Sequence, residues 1–426
     1  MFCNKIIISF AILLLFSCNQ SPKVYTPREV VKYRYNQVAP TNTIEIQPIN
    51  PVTGLYAKDE FRVALLLPMT GDKKDIGKQV FDAVTMAIQD LNADNIKLFV
   101  LDTGDDIIKA KIAAKHAMSI DVKIIIGPVF SSETKAVKGI IEPLGIPIIS
   151  LSNNTALASS TTYMFGVSPD TLTKASCDYL VQKDAKNIGL LLSNTNSGFI
   201  LGKYLNKIAP EMHANIMSTE YYKSNDQKSI LDSISKISRN KTREYLLDSF
   251  GNEYLQKAGT KKDKKATPPQ KKILKMNTIY IDAFGQDLYS IMAEIKRKGL
   301  LTDDMSVMSG QNIIEDATIL KNPMADGILF VNTATPYIYD FGTIFEDLFG
   351  YRPLRIAAIA YDAFSTVATI AIKDKNNLKN LNNPNGFTGI YGDFRFMKDG
   401  SVQRKFYVQM VNKKTIELVE KIDKFM

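Results

Sequence analysis

Between residues 61 and 154, short apolar runs alternate with stretches of helical periodicity. The runs predict four strands and the periodic stretches three helices, with strands at 61–70, 96–101, 123–126 and 146–150 and helices at 75–91, 107–118 and 133–141. Strands joined through helices must pair in parallel. An uninterrupted apolar strand is typical of a sheet covered on both faces. This part of the chain therefore predicts a parallel α/β layer.

The same alternation begins again after residue 168. It predicts a second set of elements, with helices at 172–182, 199–208 and 230–239 and strands at 188–192, 216–222, 278–282 and 306–308. Two stretches with the same alternation predict two similar lobes.

The last part of the chain predicts one long apolar helix and a hairpin. Residues 354–372 are apolar but include Tyr361 and Asp362, which favours a buried helix of a globular fold over a membrane span. The pair Asp399-Gly400 lies between two alternating runs and predicts a hairpin turn, with 404–411 as the returning strand.

Polar residues follow each predicted strand, and parallel sheets bind ligands at the carboxyl ends of their strands. Phe284 and Gln311 are the candidates from the second lobe. The candidates from the first lobe are Thr70, Asp102, Thr103, Ser131, Ser132, Ser152, Asn153 and Asn154. The strand ends carry no Cys, His or paired carboxylate of the kind that most catalysis requires. The sequence therefore predicts a binding protein without a cofactor rather than an enzyme.

Alternative chemistry at these and other residues is less favoured. Asp102, with Asp105 and Asp106, could hold Mg²⁺ or Ca²⁺, but such residues more often cap a helix, here the one at 107–118. The two histidines have no ligand cluster around them, so a metal site is not expected. Cys177 lies in a helical stretch and is expected to be a buried structural thiol. Two Ser-x-x-Lys sequences, at 132–135 and 233–236, lack the Lys-Thr-Gly that accompanies that motif in penicillin-interacting enzymes.

The amino-terminal segment predicts export. Residues 1–17 combine Lys5 with an apolar run too short to span a bilayer, as in a signal peptide. The run ends in Leu15-Phe16-Ser17-Cys18, which resembles the bacterial lipobox and implies lipid on Cys18, with a plain secretory signal or an uncleaved anchor as alternatives. Asn19 follows, which by that resemblance implies the periplasmic face of the Gram-negative outer membrane. Residues 18–57 are polar and contain prolines, and are expected to be a disordered tether.

The net charge of the 426-residue chain is +9. Such a charge fits attraction to anionic glycan, lipid headgroups or an acidic partner, and a simple bias towards Lys is the alternative. The lysine-rich stretch 257–272 is expected to be a flexible surface loop, with contact to an acidic partner as the other possibility. Since the chain has no nucleic-acid motif, a nucleic-acid partner is not expected.

Four motifs carry a family resemblance: Leu66-Leu67-Pro68-Met69-Thr70-Gly71, Asp102-Thr103-Gly104, Gly127-Pro128-Val129-Phe130-Ser131 and Pro147-Ile148-Ile149-Ser150-Leu151-Ser152-Asn153-Asn154. Together with residues 359–363 and 386–404 they resemble the type I periplasmic binding-protein fold of the Leu/Ile/Val-binding receptors. Within that superfamily the chain resembles the penicillin-binding-protein activator lipoproteins of the LppC type. The resemblance covers about 61–411 of the chain.

The resemblance implies an α/β, two-lobed type I periplasmic binding protein-like fold, in which each lobe is a parallel sheet flanked by helices and three crossovers join the lobes. It implies a first lobe of residues 58–168 plus 337–381 and a second lobe of residues 169–336 plus 382–426. Relatives bind their ligands in the cleft between the lobes, where hydroxyls and backbone N–H groups after the third and fourth strands hold an anion. Ser131, Ser132 and residues 152–154 match that position.

Two departures from the family pattern bear on function. Residues 309–312 bring no carboxylate to the place where relatives hold a ligand's ammonium, and Ser197-Gly198-Phe199 replaces a common Tyr-Gly, so a zwitterionic amino acid is not favoured. The best-known activators also carry a helical-repeat domain ahead of this fold, where this chain has only the tether. We expect a non-catalytic envelope lipoprotein that activates a penicillin-binding protein, a peptidoglycan synthase. The alternative is the periplasmic solute receptor of an ABC importer.

Overall fold

The computed structural model describes residues 60–93, 95–247, 253–254, 270–310, 319–335, 337–373, 376–422 and 425–426. The predicted signal peptide and tether, with Cys18, therefore lie outside the described residues. Two main sheets organise the described chain.

The first sheet contains five parallel strands in the order β2-β1-β3-β4-β5. Its strands are β1 (Phe61–Leu67), β2 (Ile96–Asp102), β3 (Ile124–Ile126), β4 (Ile148–Ser150) and β5 (Thr162–Met164). Every residue of β1, β3 and β4 is buried, as the unbroken apolar runs predict. The first four strands confirm the prediction. The fifth has only three residues, too few to show a period.

Five helices belong to this layer: α1 (Lys74–Leu91), α2 (Ile107–Ser119), α3 (Ser131–Ile141), α8 (Tyr337–Phe349) and α9 (Arg355–Lys373). Helix α9 packs along α1 and also touches β3, although it lies far from both in the sequence. The chain therefore returns to the first sheet after completing most of the second.

The second sheet contains seven strands in the order β18-β17-β13-β12-β11-β6-β7. Its strands are β6 (Asn187–Ser193), β7 (Asn215–Tyr222), β11 (Thr278–Ile281), β12 (Ser306–Ser309), β13 (Ile328–Asn332), β17 (Phe406–Asn412) and β18 (Thr415–Ile422). The five strands from β13 to β7 are parallel, and β17 and β18 add an antiparallel edge. Its helices are α4 (Pro169–Gln182), α5 (Asn196–Glu211), α6 (Gln227–Arg239) and α7 (Gly285–Arg297). Two parallel sheets flanked by helices confirm the predicted fold class, whereas the residue limits of the lobes stay a prediction.

A small three-stranded sheet corrects the expectation for the lysine-rich stretch 257–272. Strand β10 (Gln270–Lys275) pairs with β8 (Thr242–Leu247), which also pairs with β9 (Glu253–Tyr254). Lys271 and Lys272 therefore belong to a strand and not to the expected flexible loop, since their backbone pairs with that of β8; residues 257–269 lie outside the described residues.

The turn at Asp399-Gly400 forms as predicted, but the returning strand is shorter. Strand β15 (Gly392–Phe396) pairs with β14 (Phe387–Gly389) and with β16 (Val402–Arg404). After Arg404 the chain leaves the hairpin, and β17 joins the second sheet beside β13. The expected strand over 404–411 is wrong in its partner, because β17 is buried on both faces and requires a sheet covered on both sides.

Helix α9 is long and apolar enough to cross a membrane by length and composition, and 67% of its most apolar window is buried inside the protein. It is the one such helix in the described part of the chain. Most of its side chains pack into the main hydrophobic core, as the sequence predicts for this segment.

Helix α1 lies close to the end of β1 because residue 77 is a glycine. A Cβ at Gly77 would overlap the carbonyl group of Pro68, which is backbone and cannot rotate away. Gly139 in α3 differs: in the described part of the chain, no atom lies within 4 Å of its hypothetical Cβ.

Replacing Gly77 by Ala should push α1 away from the first sheet and lower the free energy of unfolding by about 1–3 kcal/mol. The matched control Gly139→Ala should raise it by about 0.5–1 kcal/mol, since alanine loses less backbone freedom on folding. Urea unfolding measures both variants. An equal response from the two would contradict the proposed contact with Pro68.

Candidate functional site

Each main sheet has one point at which the strand order reverses, and ligands of open α/β sheets bind there, outside the carboxyl ends of the strands. In the first sheet β1 connects to β2 on one side and has β3 on the other, so the reversal lies between the ends of β1 and β3. In the second sheet β6 connects to β7 on one side and has β11 on the other. The residues after these four strands therefore form the candidate site.

The end of β3 leads directly into the amino terminus of α3. The residue that precedes the helix is Phe130, whose side chain cannot accept a hydrogen bond. The first N–H groups of a helix have no partner within it, so those of Ser131 and Ser132 are donors for a ligand. Ser132 is exposed to solvent. A helix amino terminus with an exposed hydroxyl suits an anion such as a carboxylate.

Thr103 is placed differently from the expectation. It is completely buried, and the buried carboxyl group of Glu133 on α3 lies close to it. Burial raises the pKa of Glu133, and its proximity to Thr103 and to the Phe130 backbone offsets part of that effect. Thr103 is therefore packed beside α3 and is not exposed at the strand ends, which the sequence could not reveal because Glu133 follows a different strand.

Asp102 holds the loop after β1. Its carboxylate accepts hydrogen bonds from the N–H groups of Met69 (2.8 Å), Thr70 (3.1 Å) and Gly104 (2.8 Å), and from the Thr70 hydroxyl (2.6 Å). Partial burial alone would raise the pKa of Asp102, but these bonds together hold it below its usual value. Both Thr70 and Asp102 are thus occupied with each other.

The cap of α2 is Asp106 and not Asp102. The Asp106 side chain accepts from the N–H groups of Ile108 and Lys109, at 2.8 and 2.9 Å. Among the residues that the structure describes, no group of three or more His, Cys, Asp or Glu could hold a metal ion.

The residues after β4 divide into a buried and an exposed part. Ser152 is 5% exposed, and its hydroxyl accepts from the Asn154 N–H at 3.3 Å. Asn153 and Asn154 are exposed, and the Asn154 side-chain oxygen accepts from the Ala156 N–H at 3.3 Å. Ser152 supports the loop, and the two asparagine amide groups remain candidates for ligand contact.

The second sheet places a carboxylate at its reversal point. Asp282 follows β11, and its Oδ2 accepts a hydrogen bond from Ser193 Oγ at the end of β6, at 2.9 Å. The Tyr222 hydroxyl donates to the backbone oxygen of Asp282, also at 2.9 Å. Sequence reasoning missed Asp282, although it is the last residue of the predicted strand 278–282. The signal was the strand order, which decides that β11 lies beside β6.

The sequence singles out three further residues: Phe284, Gln311 and Cys177. Phe284 is 66% exposed beside Asp282 and can offer an apolar surface. Gln311 lies outside the described residues. Cys177 is buried, as predicted, and burial raises the pKa of its thiol to about 12.

Comparison with known proteins gives one family and many similar folds. A family model described as periplasmic binding protein matches residues 60–415. An uncharacterised protein of Rickettsia prowazekii (strain Madrid E) is 26% identical over 181 residues, which are 42% of this chain and 48% of the relative. The chain thus matches about half the length of this curated relative.

Three solved structures illustrate the fold. A Rhodospirillum rubrum protein described as a branched-chain amino acid ABC transporter has a TM-score of 0.64 at 14% identity, covering 84% of this chain and 100% of its own. A branched-chain amino acid ligand-binding protein from Burkholderia xenovorans LB400 gives 0.60 at 15% identity, covering 85% and 95%. A solute-binding protein from Rhodopseudomonas palustris BisB5, in complex with 3,4-dihydroxybenzoic acid, gives 0.56 at 15% identity, covering 87% and 99%. At these identities the likeness shows the fold alone.

Replacing Asp102 by Asn should lower the free energy of unfolding by about 1–3 kcal/mol at pH 7, because an amide cannot accept all four hydrogen bonds. The folded state holds the pKa of Asp102 below its usual value, so its contribution is present above about pH 4 and is lost as the pH falls through the folded-state pKa. Denaturant unfolding between pH 3 and 7 should show the gap between wild type and variant closing at low pH.

Asp105→Asn is the control, since Asp105 is exposed on the same loop and Asn tolerates its positive φ of 54°. It should change stability by less than about 0.5 kcal/mol. A pH-independent gap for Asp102→Asn would contradict the role assigned to the charge.

Proposed function

This chain belongs to the periplasmic binding protein family, and we propose that it is a receptor for a small solute that carries an anionic group at one end and a hydrogen-bond donor at the other. Family membership implies a periplasmic location. The proposal includes export by the signal peptide and attachment to the outer membrane through Cys18.

The observation that carries the proposal is the opposite character of the two reversal points. The first sheet offers the amino terminus of α3 with Ser132, which favours negative charge. The second offers Asp282, which favours an ammonium or a hydroxyl donor. A ligand held between them would have both kinds of group.

Two solved neighbours support this ligand class without deciding it. The Burkholderia protein is described as a periplasmic ligand-binding protein of a branched-chain amino acid ABC transporter, and the Rhodopseudomonas protein is in complex with 3,4-dihydroxybenzoic acid. Both kinds of molecule combine a carboxylate with donor groups and an apolar body. The exposed ring of Phe284 can pack against such a body.

The receptor role has more support than activation of a peptidoglycan synthase. The family and its structural neighbours are binding proteins, and the neighbours named above are transporter components. Asp282 also supplies a carboxylate in the second lobe, which residues 309–312 alone do not. A zwitterionic amino acid is therefore a reasonable ligand after all.

A calorimetric and thermal-shift panel of leucine, isoleucine, valine, benzoate and 3,4-dihydroxybenzoate should contain a ligand that raises Tm. At a hundredfold excess over Kd, the expected stabilisation is about 2.7 kcal/mol. Ser132→Ala combined with Asn154→Ala should abolish binding, because the proposed anion site consists of these two side chains and the helix terminus. Ser119→Ala, at the opposite end of the first sheet, is the control and should bind normally. If no compound in the panel changes the Tm of the wild-type protein, the receptor proposal is contradicted and a protein partner is favoured.

Asp282→Asn should separate the ligand classes. It should lower the affinity for an amino acid tenfold or more, since the ammonium loses a charge-assisted partner worth about 1.5–3 kcal/mol. The affinity for benzoate should change little. The control is Asp304→Asn, at the opposite edge of the second sheet. Equal loss for amino acid and benzoate would exclude Asp282 as the donor-binding residue.

A further inference from the structure

The chain passes between the two main sheets three times. The first crossing, at 165–168, leaves β5 for α4; the second, at 333–335, leaves β13 towards α8; the third follows α9 and runs through β14, β15 and β16 to β17. Any change in the angle between the lobes must bend these segments. The contacts that hold the three crossings to one another are therefore expected to control the angle between the lobes.

Asp362 joins the third crossing to the first lobe. It lies on α9 with 2% of its surface exposed, and its two carboxylate oxygens accept the N–H groups of Ile390 and Tyr391, both at 2.7 Å. Ile390 also contacts the second crossing, because its backbone oxygen accepts a hydrogen bond from Thr335 Oγ1 at 3.0 Å. One carboxylate therefore connects a first-lobe helix with two of the three crossings.

The loop between β14 and β15 lies directly against these groups. A Cβ at Gly389 would overlap the Asp362 carboxylate, and a Cβ at Gly392 would overlap the Thr333 carbonyl oxygen. Gly392 also has a φ of +111°, which only glycine adopts readily. The contacts thus require two glycines and leave the loop little freedom to shift.

Arg404 joins the first crossing to the same region. It is 3% exposed, donates to the backbone oxygen of Phe165, and places its guanidinium 4.6 Å from the centre of the Phe165 ring. Its own backbone exchanges hydrogen bonds with Met426, at 3.0 and 3.1 Å. The three crossings thus meet around one buried acid and one buried base.

Arg404 is the charged group that acts on Asp362, and Tyr391 and Arg355 complete its ionisable surroundings. Arg404 approaches from β16, and its charge favours the ionised carboxylate; Tyr391 lies on the loop, and its side chain contacts Arg355 at the start of α9. Burial is the dominant influence and raises the pKa of Asp362 to about 7, while burial lowers that of Arg404 to about 10. Arg404 therefore stays charged where Asp362 titrates.

Burying both charges costs stability that an apolar pair would not, so their retention calls for a geometric reason. We propose that Asp362 and Arg404 are positioning residues that set the angle between the lobes, and through it the ligand affinity, without touching the ligand. The statement about affinity rests on the proposed receptor function. The statement about the angle does not.

The test measures the distance between the lobes in the absence of ligand. Spin labels on Asp72→Cys and Lys228→Cys, both exposed and one on each lobe, report it by pulsed electron resonance in the full chain with Cys3→Ser and Cys18→Ser. The buried Cys177 does not react. Asp362→Asn should shift or broaden the distance distribution, since an amide can accept only one of the two N–H groups and places its NH₂ against the other.

The matched control is Asp90→Asn. Asp90 also bonds to α9, accepting from the Tyr361 hydroxyl at 2.8 Å, and burial raises its pKa as well. Asp90 and Tyr361 lie on α1 and α9, which both belong to the layer of the first sheet. It should therefore lower Tm without changing the distance between the lobes.

A pH series tests the proposal without a destabilised variant. Because the folded-state pKa of Asp362 exceeds the unfolded one, its favourable contribution is present at low pH and is lost as the pH rises through about 7. The distance distribution of wild type and of Asp90→Asn should change between pH 5.5 and 8.5, and that of Asp362→Asn should not. Arg404→Met should shift the distribution in the same sense as Asp362→Asn.

Unchanged distances in Asp362→Asn and Arg404→Met, with Tm lowered as in Asp90→Asn, would overturn the proposal and leave both residues a purely structural role. This outcome is independent of the ligand panel, so it is distinguishable from failure of the receptor function. Where the panel yields a ligand, Asp362→Asn should change its Kd at least threefold at pH 8, and Asp90→Asn should not.

Discussion

The two hydrogen bonds from Ile390 and Tyr391 to Asp362 attach the chain that leads to the second sheet to helix α9 of the first layer. A buried carboxylate is costly unless it is fully paired, and these N–H groups come from the segment that leads from α9 to β17 of the second sheet. Aromatic packing supports the arrangement, with the Phe165 ring 4.7 Å from Phe394 and 5.3 Å from Phe396. The small sheet therefore belongs to the junction and not to the surface of either lobe.

Parallel strand pairing determines which residues meet at the candidate site. It brings the ends of β1 and β3 to one edge in the first sheet and the ends of β6 and β11 to one edge in the second. Ser132 and Asp282 reach their positions through strand order, not through closeness in sequence. In the proposed site, their opposite preferences for charge would orient a ligand, which a pocket lined by apolar side chains alone would not do.

Sequence reasoning succeeded where a period or a breaker carried the information. The unbroken apolar run at 63–67 and the Asp399-Gly400 turn both specify local structure, and both are confirmed. Strand β5 was missed because three residues show no period. The family resemblance recovered the two-lobed fold, since its motifs lie at the strand ends that such a fold places together.

The site was harder to predict, because a polar residue at a strand end can serve either a ligand or a neighbouring loop. Asp102 and Thr103 looked like ligand groups, yet Asp102 is bonded to the Thr70 loop and Thr103 is completely buried near Glu133. Asp282 looked like the end of a strand, yet it is the acid at the reversal point. In each case the deciding partner comes from a distant part of the chain.

The apolar character of α9 has a consequence before folding begins. In a chain exported unfolded, as the predicted signal peptide implies, a segment of 19 residues that is apolar enough to span the bilayer can be retained there as a stop-transfer sequence. Asp362 lies near the middle of this segment, where an acid raises the free energy of membrane insertion by about 2.5–3.5 kcal/mol. The acid that we propose to hold the crossings together would therefore also oppose retention of this segment in the membrane.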